Sequence, residues 1–267
     1  IITGFNGVQE MKSVIKLAVL VGMLFVQSVQ VSAERSPDNM VRDQYRHPAE
    51  TLDFFTITED MAVVEISPGG GWYTEVLAGR LSGTLYAAHA NPESKSAYYR
   101  KSLSRYKDKL AASPEFYNNV ELHVFDVGAQ LLTTADNSAD AVVTFRNVHN
   151  WMNSNNERTA FDLFFKTLKP GGVLGVVEHR AKPGTERKTM IDSGYVTQDY
   201  VVEIARQAGF VLEASSEINA NPADTADHPK GVWTLLPNLA MGDVDRDRYR
   251  AIGESDRMTL RFRKPAQ

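Results

Sequence analysis

The stretch Ala62–Leu77 (AVVEISPGGGWYTEVL) constrains the fold more than any other part of the chain. It opens with an apolar run, interrupted only by Glu65, that predicts a buried strand. A glycine-rich turn at 67–71 follows, and the apolar spacing from Trp72 onward predicts a helix. Strand, turn and helix in this order form the first unit of a nucleotide-binding α/β domain, because glycine lets a ligand approach the backbone and the helix start offers free N–H groups. A tight turn without a ligand has the same local pattern, so the rest of the chain must distinguish the two.

Further strand patterns alternate with helix patterns along the chain. This alternation predicts an α/β fold with a mostly parallel seven-stranded sheet and helices on both faces. No helix pattern separates the last two strands, which suggests a terminal pair with one antiparallel member. The strands after the first are predicted at 83–90, 120–127, 139–145, 173–178, 210–218 and 257–264, and the main helices at 49–55, 94–112, 157–168 and 197–208.

Composition narrows the class of protein. The chain has 267 residues, is 43% hydrophobic and has a formal net charge of −4, which suits one large domain with its own core. Its lysines and arginines are dispersed, which argues against a nucleic-acid partner. The absence of cysteine excludes disulfides, cysteine-ligated zinc, a cysteine nucleophile and a lipoprotein anchor.

The first 33 residues have the layout of a secretory signal peptide. Lys12 and Lys16 precede the apolar run Leu17–Val26, and small residues follow at 31–33. The run is short for a membrane span, so we predict residues upstream of Met11 and a signal peptide within 1–33, a periplasmic or secreted bacterial protein, and no stable membrane span after cleavage. An uncleaved N-terminal anchor is the alternative.

Residues 34–267 are predicted to form a single domain with two additions. The N-terminal cap (34–60) contains a predicted helix that is either a lid over a ligand site or a packing helix that covers the sheet. The insertion (219–256) is long and polar, and such segments are usually functional or disordered. Trp233 within it is either an aromatic wall for a ligand or an indole that pins the loop.

The order of motifs resembles the class I S-adenosylmethionine-dependent methyltransferases. It runs from Glu65-x-Ser67-x-Gly69-x-Gly71, through a strand that ends at His89, to Phe125-Asp126 and then Lys169-Pro170-Gly171-Gly172. Other stretches resemble a group of exported, predicted methyltransferases: FRNVHNWM (145–152), GVLGVVEHR (172–180), SEINANP (216–222), HPKGVWTL (228–235) and GESDRMTL (253–260). The resemblance covers nearly all of 34–267. It implies a Rossmann-like methyltransferase fold, S-adenosylmethionine as the cofactor and a small-molecule acceptor, and it leaves the acceptor's identity and the oligomeric state open.

The resemblance also implies a set of cofactor-binding residues, with two departures from the family pattern. Ser67 stands where the first glycine usually lies, and serine adopts a positive φ less freely. His89 stands where an acidic residue usually binds the ribose hydroxyls, and a neutral imidazole accepts one hydrogen bond where a carboxylate accepts two, so Asn91 is an alternative. The implied set is Glu65, Ser67, Gly69, Gly70 and Gly71 under the methionine part, His89 at the ribose, Asp126 and Val127 at the adenine, and Arg146 and Asn147 facing both cofactor and acceptor.

The candidate catalytic residues follow the fourth and fifth predicted strands. His149 is the first choice for a general base because its ordinary pKa is near neutral. His179 and Glu178 end the next strand at the same edge of the sheet. Arg180 is a candidate to hold an acidic acceptor. The structural alternatives are a histidine bonded to a loop carbonyl, and pairing of Glu178 and Arg180 with each other or with the cap.

Three other interpretations remain. His149, His179, Glu178 and His228 are residue types that bind zinc or iron, but no two have helical i, i+4 spacing, so we predict no metal. Gly69-x-Gly71 also resembles a dinucleotide fingerprint, yet the acid expected at His89 is missing. An exported, non-catalytic ligand-binding protein on a methyltransferase fold is the main alternative, since the cofactor is made in the cytoplasm.

Overall fold

The computed structural model describes Ile1 and residues 35–266. Apart from Ile1, the predicted signal peptide lies outside the described residues. Residues 35–266 belong to one compact unit. Among the helices of 35–266, none combines the length and the hydropathy that a membrane span requires.

One sheet runs through the described part of the chain, with the strand order β4-β3-β2-β1-β5-β6-β8-β7. Neighbours from β3 to β6 are parallel, whereas β8 is antiparallel to both β6 and β7. This confirms the predicted antiparallel member of the terminal pair. The strands are β1 Val63–Ile66, β2 Leu85–His89, β3 Val120–Asp126, β4 Leu131–Leu132, β5 Ala139–Phe145, β6 Leu168–His179, β7 Val211–Ser216 and β8 Arg257–Arg263.

The sheet has eight strands rather than the predicted seven because of β4. This strand has two residues and pairs antiparallel with the end of β3. Two residues are too few for an alternating pattern, so no sequence signal predicts it. The fold class is unaffected, since β4 only extends the edge of the sheet.

Ten α-helices and two 3₁₀ turns connect the strands of the described residues. Helices α6, α8 and α10 were not predicted, and each has seven residues or fewer. The helices are α1 Pro37–Met40, α2 Asp43–Arg46, α3 Pro48–Phe54, α4 Trp72–Arg80, α5 Ala97–Ala112, α6 Val148–Met152, α7 Glu157–Thr167, α8 Arg187–Ser193, α9 Gln198–Gln207 and α10 Arg246–Ile252, with 3₁₀ turns at Val127–Ala129 and Gly231–Thr234.

The core has two layers, one on each face of the sheet. Successive side chains of a strand point to opposite faces, and here both faces are covered. In β5, Val142 packs into one layer with α7 and α9, while Ala141 and Val143 pack into the other with α3 and α4. The central strands therefore consist of continuous apolar runs.

Residues 169–172, between the predicted helix 157–168 and the predicted strand 173–178, belong to the strand β6. Helix α7 ends at Thr167, and β6 begins at once, because Leu168 pairs with Ala139 at the start of β5. The pairing is irregular there, and Gly171 has φ 78°. Residues 169–172, which separate the predicted helix from the predicted strand, are thus the bulged first part of β6.

The insertion 219–256 is folded. Leu235, Leu239 and Tyr249 are buried against one another and form a small apolar cluster. Asn219 and Asn221 anchor its start, and the Asn221 amide donates to the carbonyls of Ile252 and Glu254 at the far end. These contacts join residues 30 or more positions apart, which is why the sequence pattern shows only a polar stretch.

The cap packs on the sheet through α3 and extends α1 and α2 over the glycine turn. Phe55, at the end of α3, is fully buried against Gly175 in the middle of β6. The Trp72 indole donates to the carbonyl of Asn39. The helix that covers the sheet and the segment that approaches the turn are therefore successive parts of the same cap.

Gly175→Ala is expected to lower the free energy of unfolding by about 1–3 kcal/mol, because its Cβ would lie 2.5 Å from the Phe55 ring. Gly79→Ala in α4 is the matched control, since its Cβ would meet Phe116 at an ordinary 3.7 Å. We expect that control to be neutral or stabilising by up to about 1 kcal/mol. Urea unfolding followed by circular dichroism measures both, and equal stability of the two variants would contradict the proposed contact.

Candidate functional site

Several residues of the turn between β1 and α4 have a left-handed backbone conformation, with positive φ. Gly69 and Gly71 have φ of 61° and 78°. Ser67 also has a positive φ, 52°, although serine disfavours that conformation by about 1 kcal/mol. Its N–H donates to the carbonyl of Ala88 at 2.9 Å, which ties the turn to the end of β2. Serine therefore keeps here the conformation of the glycine that the family pattern expects.

A cavity of about 270 Å³ lies on one side of this turn, at the carboxyl ends of β2 and β3. Asp126 lines it, accepting from Asn91 Nδ2 at 3.0 Å and from the Ala129 N–H at 3.1 Å. Each carboxylate oxygen keeps a lone pair for a ligand. Of the predicted cofactor residues, the lining includes Ser67, Gly69, His89, Asp126, Val127 and Asn147.

Two helices complete this cavity with residues that the sequence analysis did not select. Tyr98, Tyr99 and Ser102 come from α5, and Asn150 and Trp151 come from α6. Trp151 packs edge-on against Phe125, with ring centroids 5.7 Å apart. The sequence did contain a signal for the α5 residues. Two tyrosines lie in the first turn of the helix that follows β2, and at helical spacing they share a face with Ser102.

His89 contacts the glycine turn through Nε2, and its Nδ1 contacts the backbone of the next residue, Ala90. Nδ1 accepts from the Ala90 N–H at 2.7 Å, so Nε2 carries the proton and donates to the carbonyl of Gly69 at 3.1 Å. Burial lowers the pKa of His89, which favours this neutral ring. The imidazole therefore positions Gly69. Asn91 does not replace the missing acid in a simple way, because its amide already bonds Asp126 and Glu93.

A second cavity, of about 300 Å³, lies on the cap side of the same turn. It shares Ser67, Gly69 and Asn147 with the first, so the two cavities meet at the turn. A Cβ on Gly69 would have no atom within 4 Å and would extend into open space. The other lining residues are Asn39, Arg42, Arg46, Glu65, Ile66, Pro68, Gly70, Trp72, Tyr73, Phe145 and Arg146. Gly71 caps α4 beside the cavity.

Glu65 is a buried acid in this second cavity. Its carboxylate accepts from the Thr74 hydroxyl at 2.6 Å. Burial raises the pKa of Glu65 to about 7, although Thr74 and Lys109 both oppose the shift. Glu65 therefore carries a carboxyl that changes charge near neutral pH.

The three candidate catalytic residues are brought together at the ends of β5 and β6. Fully buried Glu178 accepts from the Val148 and His179 N–H groups and faces His149 Nδ1 at 3.0 Å. This leaves His149 Nε2 as the nitrogen free to accept a proton. The rings of His149 and His179 lie 5.4 Å apart, and neither lines the two cavities described above.

Arg180 and Trp233, the predicted substrate contacts, lie at the insertion. Arg180 forms paired hydrogen bonds to Asp256 and to Glu217, so an acidic acceptor would have to displace one of these carboxylates. The Trp233 ring stands edge-on to His149 at 6.1 Å and is 37% exposed. Its exposure suits a wall beside His149 better than an indole buried to pin the loop.

His149, Glu178 and His179 are also close enough together to hold a metal ion. Their surroundings oppose one. Burial, His149 and the nearby guanidinium groups of Arg146, Arg257 and Arg46 all lower the pKa of His179, and the same positive charges would repel a divalent cation. The hydrogen bonds of Glu178 explain the cluster without an ion.

Glu65→Gln tests the buried acid. In the wild type the folded protein holds this proton up to about pH 7 and the unfolded chain loses it near pH 4.5, so stability falls as pH rises between these values. We therefore expect the difference in the free energy of unfolding, variant minus wild type, to become more positive by up to about 3 kcal/mol between pH 4.5 and pH 7.5. Urea unfolding at each pH measures it. Exposed Glu115→Gln is the control, and parallel profiles for all three proteins would refute the assignment.

Comparisons with known proteins agree with this architecture. Residues 64–176 match the family model of the methyltransferase domain. No curated protein matched the chain by sequence. A SAM-dependent methyltransferase from Aquifex aeolicus has a similar structure, with 14% identity, 86% of this chain and 94% of that chain covered and a TM-score of 0.58.

Two further structures show the range of proteins with this fold. The N-methyltransferase NodS from Bradyrhizobium japonicum, in complex with S-adenosylhomocysteine, has 17% identity, coverage of 82% and 86%, and a TM-score of 0.53. The cyclase SpnF has 17% identity, coverage of 83% and 81%, and a TM-score of 0.57. The chain therefore has a Rossmann-like methyltransferase fold, and its residues 64–176 match the methyltransferase domain.

Proposed function

We propose that the protein transfers the methyl group of S-adenosylmethionine to a small-molecule acceptor. The observation that carries this proposal is the pair of cavities that meet at the open Gly69. The signal-peptide pattern within 1–33 supports export as part of the proposal, and with it a periplasmic location.

The described residues fit the cofactor. The first cavity offers Asp126 as an acceptor for an adenine amino group, between the edges of Phe125 and Val127. The second offers Glu65 for the ammonium group of the methionine part. A ligand that spans both must pass Gly69, where the missing side chain leaves the room.

The bound cofactor supplies a methyl group on a positively charged sulfur. An acceptor lone pair forms the new bond to carbon as the carbon–sulfur bond breaks, and that electron pair stays on sulfur. The protein's part is to align the acceptor, exclude water and take up any proton released. Asn147 is well placed for alignment, because it lines both cavities and its amide is held by the Ile66 carbonyl and the Thr144 hydroxyl.

His149 is our proposed base. Glu178 holds its Nδ1–H and thereby leaves Nε2 as the acceptor, the arrangement that keeps a histidine base in one tautomer. In the chain, His149 lies between Asn147 and Asn150, which line the first cavity, and its ring is 6.1 Å from the Trp233 ring, so the reacting atom of the acceptor must lie between this cavity and Trp233. His179, kept neutral by its surroundings, would contact the acceptor on the same side.

S-adenosylmethionine or S-adenosylhomocysteine at millimolar concentration is expected to raise the melting temperature by several degrees, and NAD is expected to leave it unchanged. Gly69→Val should abolish the shift by filling the open space at the turn. Gly184→Val is the matched control, because Gly184 also has a positive φ and open surroundings but lies outside both cavities. Differential scanning fluorimetry of the wild type and both variants with each ligand measures these shifts.

The absence of a shift with either cofactor form would refute the proposed function. A shift that survives Gly69→Val would place the ligand elsewhere. A shift without methyl transfer to any acceptor would favour a ligand-binding protein or a different reaction on this fold, of which the cyclase SpnF is an example.

His149→Gln is expected to lower kcat by about 100-fold or more with any acceptor whose reaction releases a proton, and to change the Kd of S-adenosylhomocysteine less than about 3-fold. The reason is that His149 acts on the acceptor proton and lies outside the cofactor cavities. Single-turnover rates and calorimetry measure the two quantities. Half-buried His123→Gln is the control, and equal losses of rate and affinity in His149→Gln would indicate a structural role.

A further inference from the structure

The second cavity is lined by three arginines from two distant parts of the chain. Arg42 and Arg46 come from the cap, and Arg146 follows β5. Arg257, at the start of β8, is buried close behind them and affects the pKa of the same acid, Glu254. Four guanidinium groups therefore meet where the cap covers the glycine turn.

Three of these four groups share a single carboxylate. Glu254, which is 4% exposed, accepts from Arg42 Nε at 2.7 Å and Arg46 Nε at 3.0 Å, and Arg257 Nη1 lies 3.2 Å away. Arg146 has no carboxylate within 4 Å among the described residues. Arg46 Nη1 and Arg146 Nη1 are both buried without a hydrogen-bond partner in the described structure.

Other charges nearby are paired or neutral. Lys109 pairs with Glu75, and Arg35 pairs with Asp43. Among the described residues that line the cavity, Glu65 is the one acid, and its pKa of about 7 leaves it largely protonated in mildly acidic solution. The excess of positive charge is therefore a property of the arginine cluster.

The protein carries this cluster at an energetic cost. Arg46 is 2% exposed, and burial, followed by the charge of Arg146, lowers the pKa of Arg46 to about 8. Arg146 itself has φ 61°, a strained conformation for a residue with a side chain. Buried, unpaired cations and local strain are concentrated at ligand-binding sites, where a ligand compensates for them.

The cofactor cannot supply that compensation alone. S-adenosylmethionine has one carboxylate, but it also brings an ammonium and a sulfonium group, so its binding increases the positive charge of the site. A cationic acceptor would increase it further. An acceptor with a negative group removes the repulsion and brings a partner for the unsatisfied Nη atoms.

We propose that the methyl acceptor carries an anionic group, a carboxylate or a phosphate, which binds Arg146, Arg46 and Arg42 in the second cavity. That the anion belongs to the methyl acceptor rests on the proposed function, while the anion site itself rests on the geometry of the arginines. Arg146 connects the two, since it follows β5 directly beside Asn147.

The test is isothermal titration of the full chain saturated with S-adenosylhomocysteine, in buffer free of chloride and phosphate. The probes are succinate, methyl phosphate and neutral succinamide. We expect at least one anion to bind about 10-fold or more tightly than succinamide. Tighter binding of methyl phosphate would indicate a phosphate acceptor, and tighter binding of succinate a carboxylate acceptor.

Variants separate the anion site from the cofactor site. Arg146→Gln should weaken anion binding about 10-fold or more and change the affinity for S-adenosylhomocysteine less than about 3-fold, and Arg146→Lys should restore part of the anion affinity. Arg248→Gln removes an exposed arginine and is the control for net charge. If Arg146→Gln does not fold, Arg42→Gln removes a cavity arginine whose side chain is 24% exposed.

Succinamide binding as tightly as the anions would overturn the proposal. Equal losses of S-adenosylhomocysteine and anion affinity in Arg146→Gln would also overturn it, because the arginines would then hold the cofactor carboxylate. Failure of S-adenosylhomocysteine to bind would refute the proposed function instead, and the anion titration of the unliganded protein would still decide whether the arginines form an anion site.

Discussion

The reversal of strand order between β1 and β5 determines where this protein can bind a ligand. On one side of this point the sheet continues to β2 and β3, and on the other to β6. The connections that leave β1 and β5 therefore separate, and a crevice opens at the carboxyl ends of the strands. The glycine turn after β1 and the Arg146–Asn147 pair after β5 face each other across this crevice, and both cavities lie along it.

The cap and the insertion add charge to this general geometry. Glu254 belongs to the insertion, Arg42 and Arg46 belong to the cap, and the ion pairs between them join segments more than 200 residues apart. One acid bridging several buried arginines holds the cap over the turn. The same arrangement leaves Arg146 without a charge partner, so the contacts that close the cavity also make it selective for a negatively charged ligand.

The parts of the site that the sequence predicted lie close to glycines or at strand ends. Gly69, Asp126 and Asn147 could be selected because each follows a strong apolar run and matches a motif. Trp151 could not, since its position in the cavity depends on how α6 packs. His89 was associated with the ribose because of its place in the pattern, whereas its Nε2 contacts the Gly69 carbonyl of the turn and its Nδ1 contacts the Ala90 N–H. Short elements such as β4 and α6 have too few residues for a period to appear.

The chain's apolar periodicity and its glycine turn were sufficient to determine the fold class, the parallel sheet and the location of the ligand crevice, because these depend on local patterns and on the general rules of strand connection. Tertiary structure alone decided which charges meet. Arg146 and Arg46 are 100 positions apart, and nothing in either local sequence shows that they share a cavity. Electrostatic energy depends on distance and burial in the folded protein, so the unbalanced positive charge at the turn appears only once the cap and the insertion have packed against it.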